Sequence, residues 1–187
     1  MRLLLNILLL LLSINAYSQC LSNQSSTVNP AGPYQPGDVV TFTYTLDEFN
    51  GININWIMAF QINLGAGWTN LTPITNPNNP GGSTGSWVWD LNNTYSNGFN
   101  FGPGWRFNNT GNSNWGTSSD GPFTFSFEAT VINTCVPEDL SVTIEVFDDC
   151  TTGGWNNGNC CNDPEYDILG GINIWIVPPT TSNINHY

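Results

Sequence analysis

The chain has 187 residues, with fourteen acidic side chains against only Arg2 and Arg106, a formal net charge of −12. So few cations cannot neutralise a row of phosphates, which excludes nucleic acid as a partner and disfavours anionic membrane surfaces. Charged residues are 9% of the chain, so its surface must be built from Asn, Thr, Ser and Gly, as suits an extracellular protein.

Met1-Arg2 forms a short charged start, Leu3 to Leu12 an apolar run, and Ala16-Tyr17-Ser18 supplies the small residues that signal peptidase needs. We therefore expect a signal peptide over 1–18, one domain over 19–180 and a flexible tail over 181–187. A lipid anchor on Cys20 is the rival, though Tyr17 and Gln19 fit a lipobox poorly. No other stretch approaches the roughly 20 apolar residues of a membrane span. Residues 20–36, with Pro30, Pro33 and Pro36, read as an irregular lead-in.

Gly37-Asp38 then predicts a turn into a strand over Val39 to Leu46, with Val40, Phe42, Tyr44 and Leu46 on one face. A second strand is predicted over Ile52 to Leu64, with Ile52, Ile54, Trp56, Met58, Phe60 and Ile62 sharing a face. Residues 65–121 are rich in Gly, Asn, Pro, Ser and Trp and show short strand candidates at Ser86–Leu91 and Gly104–Asn108. Two fragments there resemble each other, Leu64-Gly65-Ala66-Gly67-Trp68 and Phe101-Gly102-Pro103-Gly104-Trp105. Each reads either as a tight turn whose glycines accept positive φ and whose Trp caps the core, or as a Trp platform borne on a loop.

The most regular stretch is Pro122–Cys150. Phe123, Phe125, Phe127, Ala129 and Val131 alternate with polar residues, as do Leu140, Val142, Ile144 and Val146. With a short polar connection between them, these read as a long β-hairpin at the centre of an antiparallel sheet. A loop over Cys150–Gly171 and a last strand over Ile172–Val177 complete the chain. With no helical period anywhere, the expected fold is all-β, an antiparallel β-sandwich of immunoglobulin-like or jelly-roll type with long Gly/Asn/Trp-rich loops and disulfides.

Five cysteines in an exported chain point to disulfides. In a hairpin, Cys135 at the turn and Cys150 at the strand end would lie about 33 Å apart. A disulfide needs Cα atoms within about 7 Å, which excludes that pair. Cys150–Cys160 or Cys150–Cys161 is the favoured bridge; Cys135 would pair with Cys20 or with the remaining one of Cys160 and Cys161, which leaves one thiol over. A zinc site is disfavoured because His186, the one histidine, lies in the tail.

That histidine count also removes Ser-His and Cys-His catalysis. Carboxylate pairs among Asp90, Asp120, Glu128 and Glu145 leave a glycoside hydrolase as a third choice. Glu128 and Glu145 would face one another across the hairpin, where a solvated pair is the simpler account. Calcium is the more credible chemistry: Asp163, Glu165 and Asp167 alternate through one loop, with Asp148 and Asp149 at its other edge, a hard-oxygen set. A glycan face of Trp68, Trp87, Trp89, Trp105, Trp115 and Trp155, with Asn and Asp at the rim, is the second binding hypothesis.

The export signal, the Asn/Thr/Gly-rich composition, Asn55-Trp56, the two Gly-x-Gly-Trp fragments and the cysteine-rich end together resemble secreted β-sandwich proteins of Bacteroidetes-type bacteria, of the adhesin and matrix-protein style. The resemblance implies a surface module and transfers no functional residue. Such proteins often carry a C-terminal sorting domain; one strand and a short tail here depart from that pattern, which leaves both an anchored adhesin and a free secreted subunit open. The function expected is a secreted non-enzymatic binding or assembly module acting through sheet edges on other surface or matrix proteins or on itself.

Overall fold

The computed structural model describes residues 21–49, 57–78, 85–94, 100–108, 121–134, 138–148, 165–170 and 173–174. The strands are β1 (Leu21–Asn29), β2 (Val39–Phe49), β3 (Ile57–Leu64), β4 (Trp68–Thr75), β5 (Ser86–Asp90), β6 (Asn93–Thr94), β7 (Asn100–Phe101), β8 (Gly104–Asn108), β9 (Phe123–Val131), β10 (Glu138–Asp139), β11 (Val142–Asp148), β12 (Tyr166–Leu169) and β13 (Asn173–Ile174). Two antiparallel sheets pack face to face: β1-β2-β9-β4 and β12-β11-β3-β8-β5. The pairs β10-β13 and β6-β7 are minor. The all-β sandwich is therefore the fold, and its core lies between the two inner faces.

The alternation of β2 and β9 is realised side chain by side chain. Val40, Phe42, Tyr44 and Leu46 are buried opposite Ala129, Phe127, Phe125 and Phe123. Phe42 stacks on Phe127 at 5.1 Å, and Phe60 of the other sheet meets Phe125 at 5.0 Å. Such pairs add about 0.5–1.5 kcal/mol each beyond the area they bury. The predicted turn at Gly37-Asp38 is present: Gly37 adopts φ +88° and donates to the Val131 carbonyl.

The expected hairpin is replaced. β9 pairs with β2 and β4, whereas β11 pairs with β3 and β12 in the opposite sheet. A period-two pattern reports which face is buried and not which strand lies alongside, so two neighbouring strands of this kind can equally well face each other across a sandwich. The crossover is pinned on Gly67, whose carbonyl accepts from Ile132 N–H and whose N–H donates to the Asp139 carbonyl. Consequently Glu128 and Glu145 stand on opposite outer faces of the molecule, and the facing pair expected from a hairpin does not exist. Cys20, Cys135, Cys150, Cys160 and Cys161 all lie outside the described residues, and the hairpin geometry used to exclude a Cys135–Cys150 bridge no longer applies.

Three local expectations are also corrected. Residues 21–29 form a regular strand, although the lead-in showed almost no apolar period. Its inward positions Gln24 and Ser26 are polar and are met by Tyr44 and Tyr166: Tyr44 Oη donates to Gln24 Oε1 at 2.7 Å, and Ser26 Oγ lies 3.4 Å from Tyr166 Oη. In β3 the expected common face breaks at Met58. A register shift opposite Phe147/Asp148 leaves Phe60 and Ile62 in the main core and places Met58 and Ala59 against Phe147 in a second cluster. Finally, Tyr166–Leu169, assigned to a loop, forms edge strand β12.

Candidate functional site

The tryptophans expected to form a glycan face are distributed between core and edge. Trp105 is 0% exposed, Trp87 4% and Trp68 7%, and Trp89 is half-buried against Trp105 at 4.7 Å. Trp115 and Trp155 lie outside the described residues. On β5 and β8 the Trp positions point inward because both strands alternate with period two, Trp87 and Trp89 opposing Phe107 and Trp105. These rings are thus committed to the sandwich interior and do not form a surface platform.

Burying an indole obliges the fold to supply an acceptor, since an orphaned donor costs about 1–3 kcal/mol. The segment after β4 does this. Asn76 Oδ1 accepts from Trp105 Nε1 at 2.9 Å, and the Asn78 carbonyl accepts from Trp87 Nε1 at 3.0 Å. Asn78 Oδ1 also accepts from the Thr124 backbone N–H at 3.1 Å, and Pro77 between them is buried. Asn76-Pro77-Asn78 is therefore a seam linking β9 of one sheet to indoles of the other.

The two Gly-x-Gly-Trp fragments are turns, as one of their readings held, but positive φ is not what requires glycine there. A Cβ on Gly104 would fall 1.9 Å from the Phe60 carbonyl oxygen, and one on Gly65 would fall 2.3 Å from that of Asp139. The first fragment docks on residues 139–141, with Gly65 N–H donating to the Ser141 carbonyl. The second docks on β3, with Ile62 N–H donating to the Pro103 carbonyl and Gly102 N–H to Gln61 Oε1. Each motif presses its glycines on a neighbouring backbone and drives its Trp inward.

Between these two turns lies a cleft of about 600 Å³, lined by Ile62, Asn63, Leu64, Trp68, Thr69, Asn70, Leu71, Leu91 and Pro103. It exists because β8 ends at Gly104 while β3 continues to Leu64 and crosses to the other sheet as β4. Among the described residues its walls carry no charged side chain. Trp68 Nε1 is, among the described residues, the buried side-chain polar atom left without a partner. Asn70 adopts φ +53° at a register shift of β4, and Leu91 at the rim is 56% exposed. Of these residues only Trp68 was singled out from the sequence as a binding candidate; Asn70 and Leu91 carry no motif that would have marked them as such.

The acidic candidates divide differently. Asp149 and Asp163 lie outside the described residues, and of Asp148 only the strand backbone is described. Asp167 is exposed on β12 opposite Thr143, and Glu165, one residue before that strand, accepts from Thr143 Oγ1. Burial raises the Glu145 carboxyl above the usual range and the nearby Glu165 charge raises it further, against a hydrogen bond from Asn63. Among the described residues no group of three or more His, Cys, Asp or Glu is arranged to hold a metal ion. Asp90 binds the Asn92 backbone N–H at 3.0 Å, and Asp120 lies outside the described residues. Among them, too, no helix is long and apolar enough to cross a membrane.

Comparison with known proteins yields few relatives. No family model and no curated protein matches the chain. Among solved structures it is similar to a DUF4466 family protein from Parabacteroides merdae, at 16% identity and a TM-score of 0.35, over 81% of this chain and 44% of that one. It is similar also to the KRT10-binding region domain of the pneumococcal serine rich repeat protein PsrP, at 16% identity and a TM-score of 0.34, over 78% of this chain and 97% of that one. The chain thus spans less than half the length of the DUF4466 protein. At TM-scores this low neither likeness bears on function.

Proposed function

We propose that this chain is an exported, non-enzymatic binding or assembly module of the cell surface or extracellular matrix, and that β1 is the edge on which a partner strand pairs. The observation that carries the reading is the contrast among the four sheet edges. β4 is broken by two register shifts and Pro73; β12 is four residues long, with a shift in its pairing to β11; β5 has five residues and ends at Asp90. Such devices blunt an edge against pairing. β1 has none of them.

It runs nine residues without a charge or a proline, in one register from Leu21 opposite Phe49 to Asn29 opposite Thr41, with Asn23 alone at positive φ. The simplest partner is the β1 of a second copy, joined antiparallel across a two-fold axis. Two uncharged strands then meet, with Glu48 of β2, which accepts from Ser22 Oγ at 2.9 Å, as a carboxylate beside the junction.

Sedimentation velocity tests this. The wild type should self-associate up to about 1 mM, where a contact of roughly 4 kcal/mol is already half-formed. Ser25→Lys/Thr27→Lys, placed at two exposed β1 positions, should stay monomeric with an unchanged melting temperature. A wild type that remains strictly monomeric over that range would overturn β1 pairing between copies.

A further inference from the structure

We infer that the cleft between the β3–β4 turn and the ends of β5 and β8 is a binding site for a neutral carbohydrate, separate from the β1 edge and independent of it. Four observations converge there. The lining mixes apolar groups (Ile62, Leu64, Leu71, Leu91, Pro103) with uncharged polar ones, and the volume of about 600 Å³ lies within the 300–1,000 Å³ usual for small-ligand sites. The unpartnered indole N–H belongs to a wall residue, Trp68. A buried donor left unsatisfied is uncommon in a native fold, and this one is enclosed in the wall of the cleft.

Third, strand alternation fixes where the β3 backbone points. Gly65 N–H bonds Ser141 on the β11 side, and Ile62 N–H bonds Pro103 on the other. The N–H and C=O of Leu64 therefore turn the same way as those of Ile62, toward the side on which β8 has already ended. Fourth, Asn70 is held in the left-handed region at a register shift, a local cost that recurs where a side chain is re-aimed for a purpose.

The chemistry of these groups selects the ligand. A lining without charge, on a molecule of net charge −12, disfavours anions and offers a cation no direct counter-charge. The cleft offers donors and acceptors together: the Leu64 N–H and C=O, the Asn70 amide and the Thr69 hydroxyl. Sugar hydroxyls both donate and accept, and the C–H face of a pyranose matches the apolar wall. An added peptide strand fits worse, because beyond Pro103 the β3 backbone offers the ladder groups of Leu64 alone.

The test is NMR titration of the full protein with neutral gluco-, manno- and xylo-oligosaccharides up to about 10 mM, a range that captures weak sugar affinities. The Trp68 indole and Leu64 amide resonances should shift with at least one sugar. Asn70→Gly, which accepts the same positive φ, and Leu91→Asp, at an exposed position, should each weaken binding about tenfold while keeping the melting temperature. The inference fails if no sugar moves these resonances, or if neither substitution changes the affinity. It fails equally if an uncharged Leu-Pro dipeptide binds there and no sugar does.

Discussion

The seam of Asn76 and Asn78 makes a quantitative prediction about how the aromatic core is held. Asn76→Ala removes the acceptor of the Trp105 indole, which is 0% exposed and has no access to water. The orphaned donor should cost about 1–3 kcal/mol, near 2. Trp105→Phe removes the donor and part of the ring from contacts with Phe125 at 4.4 Å and Trp89 at 4.7 Å, and should cost about 2–4 kcal/mol from the cavity. Asn76 is exposed, so its freed carbonyl rehydrates at little cost. In the double variant Asn76→Ala should therefore add almost nothing, so the coupling equals its single-variant cost of about 1–3 kcal/mol. Urea denaturation of the four proteins, with equal m-values, measures it. Additive effects, or a cost below about 0.5 kcal/mol for Asn76→Ala alone, would refute the view that the seam satisfies the core indoles.

Two further predictions concern the glycine contacts and the acidic face. Gly104→Ala should cost at least about 1–3 kcal/mol by overpacking against the Phe60 carbonyl, whereas Gly170→Ala, with nothing within 4 Å, should be tolerated; thermal unfolding of both separates contact from composition. Glu145 has its folded carboxyl raised by burial and Glu165, so its protonated form is favoured in the fold. The stability linked to that proton is complete below the ordinary carboxylate value near 4.3 and is lost as pH rises through the raised folded value. Glu145→Gln should thus gain up to about 1 kcal/mol at pH 7 and nothing at pH 3, a like-charge pair across strands being worth that much at most. Equal gains at both pH values would remove the electrostatic account.

The strands legible in the sequence were those whose inward positions are all apolar. β2, β9 and β11 announce themselves through Phe42, Phe125 and Ile144, each one of an alternating series. β1 was hidden because Gln24 and Ser26 point inward, and the tyrosines that satisfy them come from residues 44 and 166. β4 was hidden because an edge strand broken by register shifts leaves most of its side chains exposed. Sheet membership was not legible, as β9 and β11 show: burial period is a local property, and pairing is set by crossovers such as the one pinned on Gly67. For the site, the abundance of Trp was visible but its direction was not. Strand alternation turns Trp87 and Trp105 inward, and the acceptors that satisfy their indoles come from residues 78 and 76, outside either strand.

The partition of β9 and β11 between opposite sheets also governs the order in which this chain can acquire a core. Each sheet has an inner strand contributed late: β9, from residue 123, lies between β2 and β4, and β11, from residue 142, flanks β3. Until Phe123 to Ile144 are available, Phe42, Tyr44 and Phe60 lack their contacts with Phe127 and Phe125, although Trp68 and Trp87 lie against Phe42 and Phe60. Long loops must close before any of these pairings forms, which makes folding slow and collective. Both sheets of the sandwich therefore reach their final pairing only when β9 and β11 arrive.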